Sequence, residues 1–148
     1  MSGYLLDTNV VSLLAPAATG AAATLSRLQA WLRANDAQLF LSTITLAEIQ
    51  AGVSKLERNG ALRRAAALAH WLNIILELYN SRTLPLTSPV ALEAGRLLDR
   101  ALAAGANPGF EDAAIAATAR VHDLTVVTAN RRHFTHFGVA FVSPADLS

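Results

Sequence analysis

Short apolar runs alternate with stretches of helical periodicity along this chain, and that alternation narrows the possible folds more than any other feature. The runs are Tyr4 to Leu6, Gln38 to Leu41, Thr83 to Leu86, Leu124 to Thr128 and Val139 to Val142. The fourth, with β-branched Thr125, Val126 and Val127, has the strongest strand character. Between the runs, apolar residues recur at three- and four-residue spacings. They do so at Leu25, Leu28, Trp31 and Leu32 within Ala21 to Ala34, and at Leu46, Ile49, Val53 and Leu56. Leu62 to Tyr79 repeats the pattern with Leu68, Leu72, Ile75, Leu76 and Tyr79, and Asn59-Gly60 joins these last two stretches as an antiparallel hairpin. Ser88-Pro89 opens a further helix with proline at its favoured first position, and Gly105 closes it. After the turn Asn107-Pro108-Gly109, an alanine-rich helix runs from Phe110 to about His122. Asn9 to Leu14 predicts a short helix stopped by Pro16, and Asn130 to Phe137 a polar turn or short helix. Strands that alternate with helices in this way build an α/β fold, a mostly parallel sheet of four to five short strands covered by helices on both faces. No linker or repeat divides residues 1–148, and only Ala17 to Ala23 is compositionally biased, so a single domain is expected.

Hydrophobic residues make up 53% of the chain, yet every apolar run is interrupted well before the roughly 18 residues of a membrane span. The excess predicts an apolar helical face available to a partner, and no association with a membrane. There is no cysteine, which removes disulfides, thiolate ligands and thiol nucleophiles and leaves carboxylates, imidazoles and hydroxyls for chemistry. The first residues show no basic segment, apolar stretch and small-residue cleavage site in succession, so a cytoplasmic location is expected. A net charge of +1 lacks the basic excess of an electrostatic nucleic-acid binder. Eleven of the twelve basic residues are nevertheless arginine, whose planar fork matches phosphate oxygens.

In a parallel sheet, the carboxyl ends of strands and the amino ends of the following helices share one edge. Asp7 closes the first run, Thr128-Ala129-Asn130 closes the fourth, and Glu48 and Asp112 lie in first turns of helices. Carboxylates gathered at one edge repel and raise one another's pKa unless a cation holds them, and hard oxygen donors suit Mg²⁺ or Mn²⁺. Each residue has a plainer role open to it. Thr45 and Glu48 have the spacing of a capping box, Glu111 and Asp112 complement a helix dipole, and Asp7 can cap the next helix through Thr8 or Asn9. Asn130 equally suits a turn. The plainer role is weakest for Asp7, because an acid at the end of an apolar strand is poorly served unless something binds it.

Four blocks carry a likeness to a known family: Leu-Leu-Asp-Thr-Asn at 5–9, Ser-Thr-Ile-Thr-Leu-Ala-Glu at 42–48, Glu-Asp-Ala-Ala-Ile-Ala-Ala-Thr-Ala at 111–119 and Val-Val-Thr-Ala-Asn-Arg-Arg-His-Phe at 126–134. In this order they resemble the blocks of PIN-domain proteins, most nearly the VapC-type and FitB-type toxins of toxin–antitoxin pairs. The resemblance implies a three-layer PIN-like fold with a protruding helical hairpin. It implies an endoribonuclease that uses Mg²⁺ or Mn²⁺, with RNA as substrate, a VapB-type antitoxin as partner, and a homodimer, or a heterotetramer or larger assembly with the antitoxin. It also implies metal-binding roles for Asp7, Glu48 and Asp112, with Asn130 at the fourth catalytic position. Two departures stand out: Asn130 is neutral where an aspartate is common, and His133 stands where an acid often precedes the phenylalanine. One firmly held ion is therefore expected.

Around this set, Thr8, Asn9 and Thr128 are candidates to orient water or phosphate, and Arg131 and Arg132 to contact RNA phosphates. Arg58, Arg63 and Arg64 are expected to form a solvated face, His133 to face solvent or RNA, and Trp31, Trp71 and Tyr79 to pack in the core or against a partner. The hairpin between Thr45 and Tyr79 is the expected antitoxin or dimer surface. Two other readings compete. A PIN-like module with a weakened acid set would bind RNA or protein without cutting. An aspartyl-phosphate enzyme would place its nucleophile at Asp7, but such phosphatases want a second aspartate two residues on, where Asn9 stands.

Overall fold

The computed structural model describes residues 3–16 and 22–147; the expected loop at residues 17–20 and the helix start at Ala21 lie outside them. Five strands, β1 (Gly3–Leu6), β2 (Leu39–Ser42), β3 (Thr83–Leu84), β4 (Leu124–Val127) and β5 (Phe141–Val142), form one sheet in the order β3-β2-β1-β4-β5. Every pairing is parallel, with Leu5 beside Phe40 on one side and Val126 on the other. The helices are α1 (Thr8–Ser12), α2 (Ala22–Ala34), α3 (Thr43–Arg58), α4 (Leu62–Leu78), α5 (Ser88–Ala103), α6 (Phe110–Val121) and α7 (Arg131–Phe134).

Alternation along the strands sends successive side chains to opposite faces, which divides the core in two. Leu5 and Val126 meet α5 and α6 through Val90, Ala94, Leu97 and Ile115, with Phe134 and Phe137 packed edge to face beside them. Leu6, Val127, Leu39 and Leu41 meet Val10, Leu28, Trp31, Leu72 and Ile75 on the other face. Each of these fully buried aliphatic side chains contributes about 1.5–3 kcal/mol relative to exposure. Helix α6 is buried at every position from Ala113 to Ala119. Its small side chains let it lie close against both the sheet and α5, as a helix apolar on all sides must. Thr118, the one hydroxyl in that stretch, returns its proton to the Ala114 carbonyl at 2.7 Å.

Strand order places the topological switch between β1 and β4, because the chain runs outward through β2 and β3 and then crosses back to the other side of β1. The carboxyl ends of β1 and β4 therefore border the crevice.

Several boundaries differ from those expected. Helix α1 begins at Thr8, with Asp7 as its cap, and β3 is only two residues long because Pro85 ends the ladder. Helix α3 begins at Thr43, capped by Ser42, whose hydroxyl accepts from the Ile44 amide at 3.0 Å. Thr45 is therefore not a cap and Glu48 is not its reciprocal partner, which removes the capping-box role for that pair. On α4, Leu76 is exposed rather than part of the buried stripe, while Trp71, Ile74 and Leu78 line a partly exposed apolar strip. As expected, α3 and α4 pack as a hairpin whose turn uses Gly60 at φ +80°.

Candidate active site

Asp7 follows β1 directly, its amide still bonded to the Val127 carbonyl of β4 at 2.9 Å. The side chain is 3% exposed. One carboxylate oxygen accepts from the Thr8 amide at 2.8 Å, which is the helix-cap contact. The other accepts from the Thr128 hydroxyl at 2.8 Å and the Asn9 amide at 3.0 Å. Burial nevertheless dominates and pushes the Asp7 carboxyl up to about 6; the bonds from Thr128 and Thr8 oppose this, and the charges of Asp112 and Glu48 add to it. Capping thus coexists with a carboxylate held in an unfavourable ionised state.

Glu48 reaches the same region from α3. Its Oε1 accepts from the Thr8 hydroxyl at 2.5 Å. That hydroxyl also lies 3.0 Å from the buried Thr45 hydroxyl; since Thr8 gives its proton to Glu48, Thr45 donates to Thr8. Desolvation raises the Glu48 carboxyl, the Thr8 bond lowers it, and Glu111 and Asp112 raise it again. Asp112, in the first turn of α6, is raised by desolvation and by Glu111, and lowered by His133 and the Gly109 backbone. The fields of residues 7, 48, 111 and 112 thus overlap, although their chain positions span most of the sequence.

Two groups gain a larger place here than expected. His133 does not merely face solvent: its Nδ1 lies 2.7 Å from Asp112 Oδ2 and 2.8 Å from the side-chain amide of Asn130. Glu111, expected as a helix-dipole acid, belongs to the negative cluster. The signals were its position next to Asp112 and, for His133, the one-turn spacing from Asn130.

The remaining candidates divide by what they touch. Thr128 donates to Asp7 and accepts from the Asn130 amide at 2.9 Å, while Asn9 binds Asp7 and receives the Ala129 amide at 3.0 Å. Thr8, Asn9 and Thr128 thus hold carboxylates and the 129–130 backbone. Arg131 is tied to Asp146 at 2.5 Å, whereas Arg132 lines an open cavity of about 450 Å³ with His133, His136 and Pro108.

The donors at this edge are carboxylate, amide and hydroxyl oxygens with one imidazole, and their mutual repulsion is what a divalent cation would relieve. Among the described residues no three His, Asp or Glu groups stand ready as a coordination shell, so an ion would complete its sphere with water, an amide or substrate oxygens.

The PIN domain profile matches residues 4–139. The chain is 36% identical over 143 residues to Toxin FitB of Neisseria gonorrhoeae, covering 95% of this chain and 96% of that one. The crystal structure of FitAcB from the same organism superposes with a TM-score of 0.78 at 34% identity, covering 97% of this chain and 99% of the other. The DNA-bound VapBC of Salmonella typhimurium superposes at 0.80 with 21% identity over 97% and 99% of the two chains, a likeness of fold.

Proposed function

Because this chain belongs to the PIN-domain family, we propose that it is the toxin of a VapBC- or FitAB-type toxin–antitoxin pair and acts as an endoribonuclease dependent on Mg²⁺ or Mn²⁺. What supports the reading is that Thr8, at the switch point of the sheet, binds Asp7 through its amide and Glu48 through its hydroxyl, with the Asp112 charge raising both carboxyls.

In this reading Asp7, Glu48 and Asp112 hold the ion and Asn130 supplies a neutral fourth group. When bound, a divalent ion neutralises charge on the phosphate oxygens and acidifies a water for attack on phosphorus. The chain's own part is orientation. Thr128 and Asn9 fix Asp7, Thr8 fixes Glu48, and the buried Thr45 fixes Thr8. The Thr8 and Thr128 hydroxyls donate hydrogen bonds to carboxylates and so hold them in place; in this reading the attacking group is the water that the ion would acidify. Arg132, exposed beside the site, meets the RNA backbone, while Arg131 is engaged by Asp146. The antitoxin or a second copy covers the strip formed by Trp71, Ile74 and Leu78 on α4.

Purified, antitoxin-free protein should cut RNA when Mg²⁺ or Mn²⁺ is present and stop when it is chelated. Asp7→Asn and Asp112→Asn should abolish cleavage with the circular dichroism spectrum retained. Cleavage that survives both substitutions would remove the proposal; RNA binding without cleavage by the metal-loaded protein would favour the non-cutting module.

A further inference from the structure

Two segments line the open cavity of about 450 Å³: the turn before α6 supplies Asn107 and Pro108, and the stretch that begins with α7 supplies Arg132, His133 and His136. The same two segments serve the candidate active site. Asp112 lies four residues beyond Pro108, and its Oδ2 lies 2.7 Å from Nδ1 of His133, so that imidazole belongs to both. The volume falls in the range of about 300–1,000 Å³ in which small molecules are held. The lining carries no carboxylate; its polar groups are a guanidinium, two imidazoles and a side-chain amide, with the buried Pro108 among them. Arg131 is engaged by Asp146, whereas Arg132 takes part in no ion pair among the described residues. A negative cluster that calls for a cation therefore borders a cavity whose fixed charge is positive and calls for an anion.

We propose that this cavity is the subsite for one nucleotide flanking the cleaved bond, with Arg132 on its phosphate, His136 and Pro108 against its base and Asn107 at the base edge, and that it sets which sequence the chain cuts. The inference rests on the nuclease reading above and adds sequence choice to it. Single-stranded RNA is recognised through bases turned out of the stack, packed on flat side chains and hydrogen-bonded along their edges. The His136 imidazole and the Pro108 ring offer such surfaces, and the Asn107 amide places a donor beside an acceptor, the pattern a base edge presents. The Arg132 fork suits a phosphate, which holds the strand in register without reading it. Asn107, Arg132 and His136 are all exposed, so each is open to a strand arriving from solvent.

The test titrates the full chain, in Mg²⁺, with each of the four nucleoside 5′-monophosphates and with inorganic phosphate, following the imidazole proton resonances of His136 and His133. These nucleotides have no internucleotide bond to be cut. The nucleotides should shift both resonances, and one base should bind about tenfold more tightly than the weakest. Arg132→Gln should weaken every nucleotide and phosphate by about tenfold or more. Asn107→Ala should level the four bases and leave phosphate unchanged. On RNA of mixed sequence, the native chain should favour one base beside the cut, and Asn107→Ala should lose that preference. Equal affinity for phosphate and all four nucleotides marks an anion site only and overturns the subsite, as does a His136 resonance that no nucleotide moves. Metal-dependent RNA cleavage in either case leaves the nuclease reading intact. Nucleotide binding as expected by a chain that cuts no RNA in Mg²⁺ or Mn²⁺ overturns the nuclease reading and leaves a nucleotide-binding cavity.

Discussion

The Thr8 hydroxyl donates to Glu48 Oε1 across 2.5 Å, joining the residue after β1 to a carboxylate on α3 that lies forty positions later in the chain. Behind it the buried Thr45 hydroxyl donates in turn, so one small side chain holds the site acid and satisfies an interior donor.

Thr8→Val keeps the shape of the side chain and removes both contacts. Stability should fall by about 1–3 kcal/mol, the cost of leaving a buried hydroxyl unpaired. Affinity for Mn²⁺ should drop by about 10–100-fold, as when a group that orients a ligand is lost. Thr8→Ser should recover most of both. Urea unfolding and metal titration read the two effects separately, and equal metal affinity in Thr8→Val would show that Glu48 needs no such anchor.

The pH dependence of the metal-free fold follows from Asp7. Its carboxyl rises from 3.8 to about 6 on folding, chiefly through burial, so the folded state favours the protonated form. The stabilising contribution is complete below about pH 4 and disappears as pH rises through about 6, a loss of about 3 kcal/mol. Denaturant unfolding in chelator should therefore show stability declining between pH 4 and pH 7 from this group. Asp7→Asn should flatten that part of the curve and be more stable than the native chain at pH 8. A native curve that rises over that interval by as much as the variant's would contradict this account. Added divalent ion should restore stability at pH 8 to the native chain alone.

Arg82 closes a structural junction away from the site. Its guanidinium donates to the carbonyls of Asp36, Leu39 at 3.0 Å and Leu78 at 3.4 Å, and lies 4.7 Å from the centre of the Tyr79 ring. Arg82→Lys keeps the charge and loses the fork, so it should cost about 2 kcal/mol and lower the melting temperature by about 4–8 °C. A calorimetric scan checks it; a melting temperature unchanged by the lysine would make the contacts incidental.

Helix α6 has no room for growth. Ala117 is fully buried, and Ala117→Leu should destabilise by about 1–3 kcal/mol through overpacking. Because Asp112 sits five residues earlier on the same helix, Mn²⁺ affinity should fall as well. Unfolding and titration of the same sample test both statements.

The alternation of Tyr4 to Leu6 and Thr125 to Val127 with helical stretches made the parallel sheet legible, and the polar residue ending an apolar strand marked Asp7. Local hydroxyl spacing was a poorer guide at α3. Ser42, Thr43 and Thr45 all have cap chemistry, and tertiary contact decides among them: Thr45 is drawn inward to Thr8, leaving Ser42 at the strand end to cap. Arg131 was expected at phosphate, yet it meets Asp146 from the turn Pro144–Asp146, which had no periodic signal of its own. The contact of His133 with Asp112 depends on α7 docking against α6, which neither short stretch reveals alone.

β1 lies at the centre of the sheet although it precedes the other four strands in the chain, and the hydroxyl that steadies Asp7 comes from Thr128, 121 positions later. Synthesis must therefore reach the end of β4 before the two can meet. Chains cut short before β4 carry the first acid but lack both the hydroxyl that steadies it and the neighbouring strand, so fragments of that length should be unable to assemble the site.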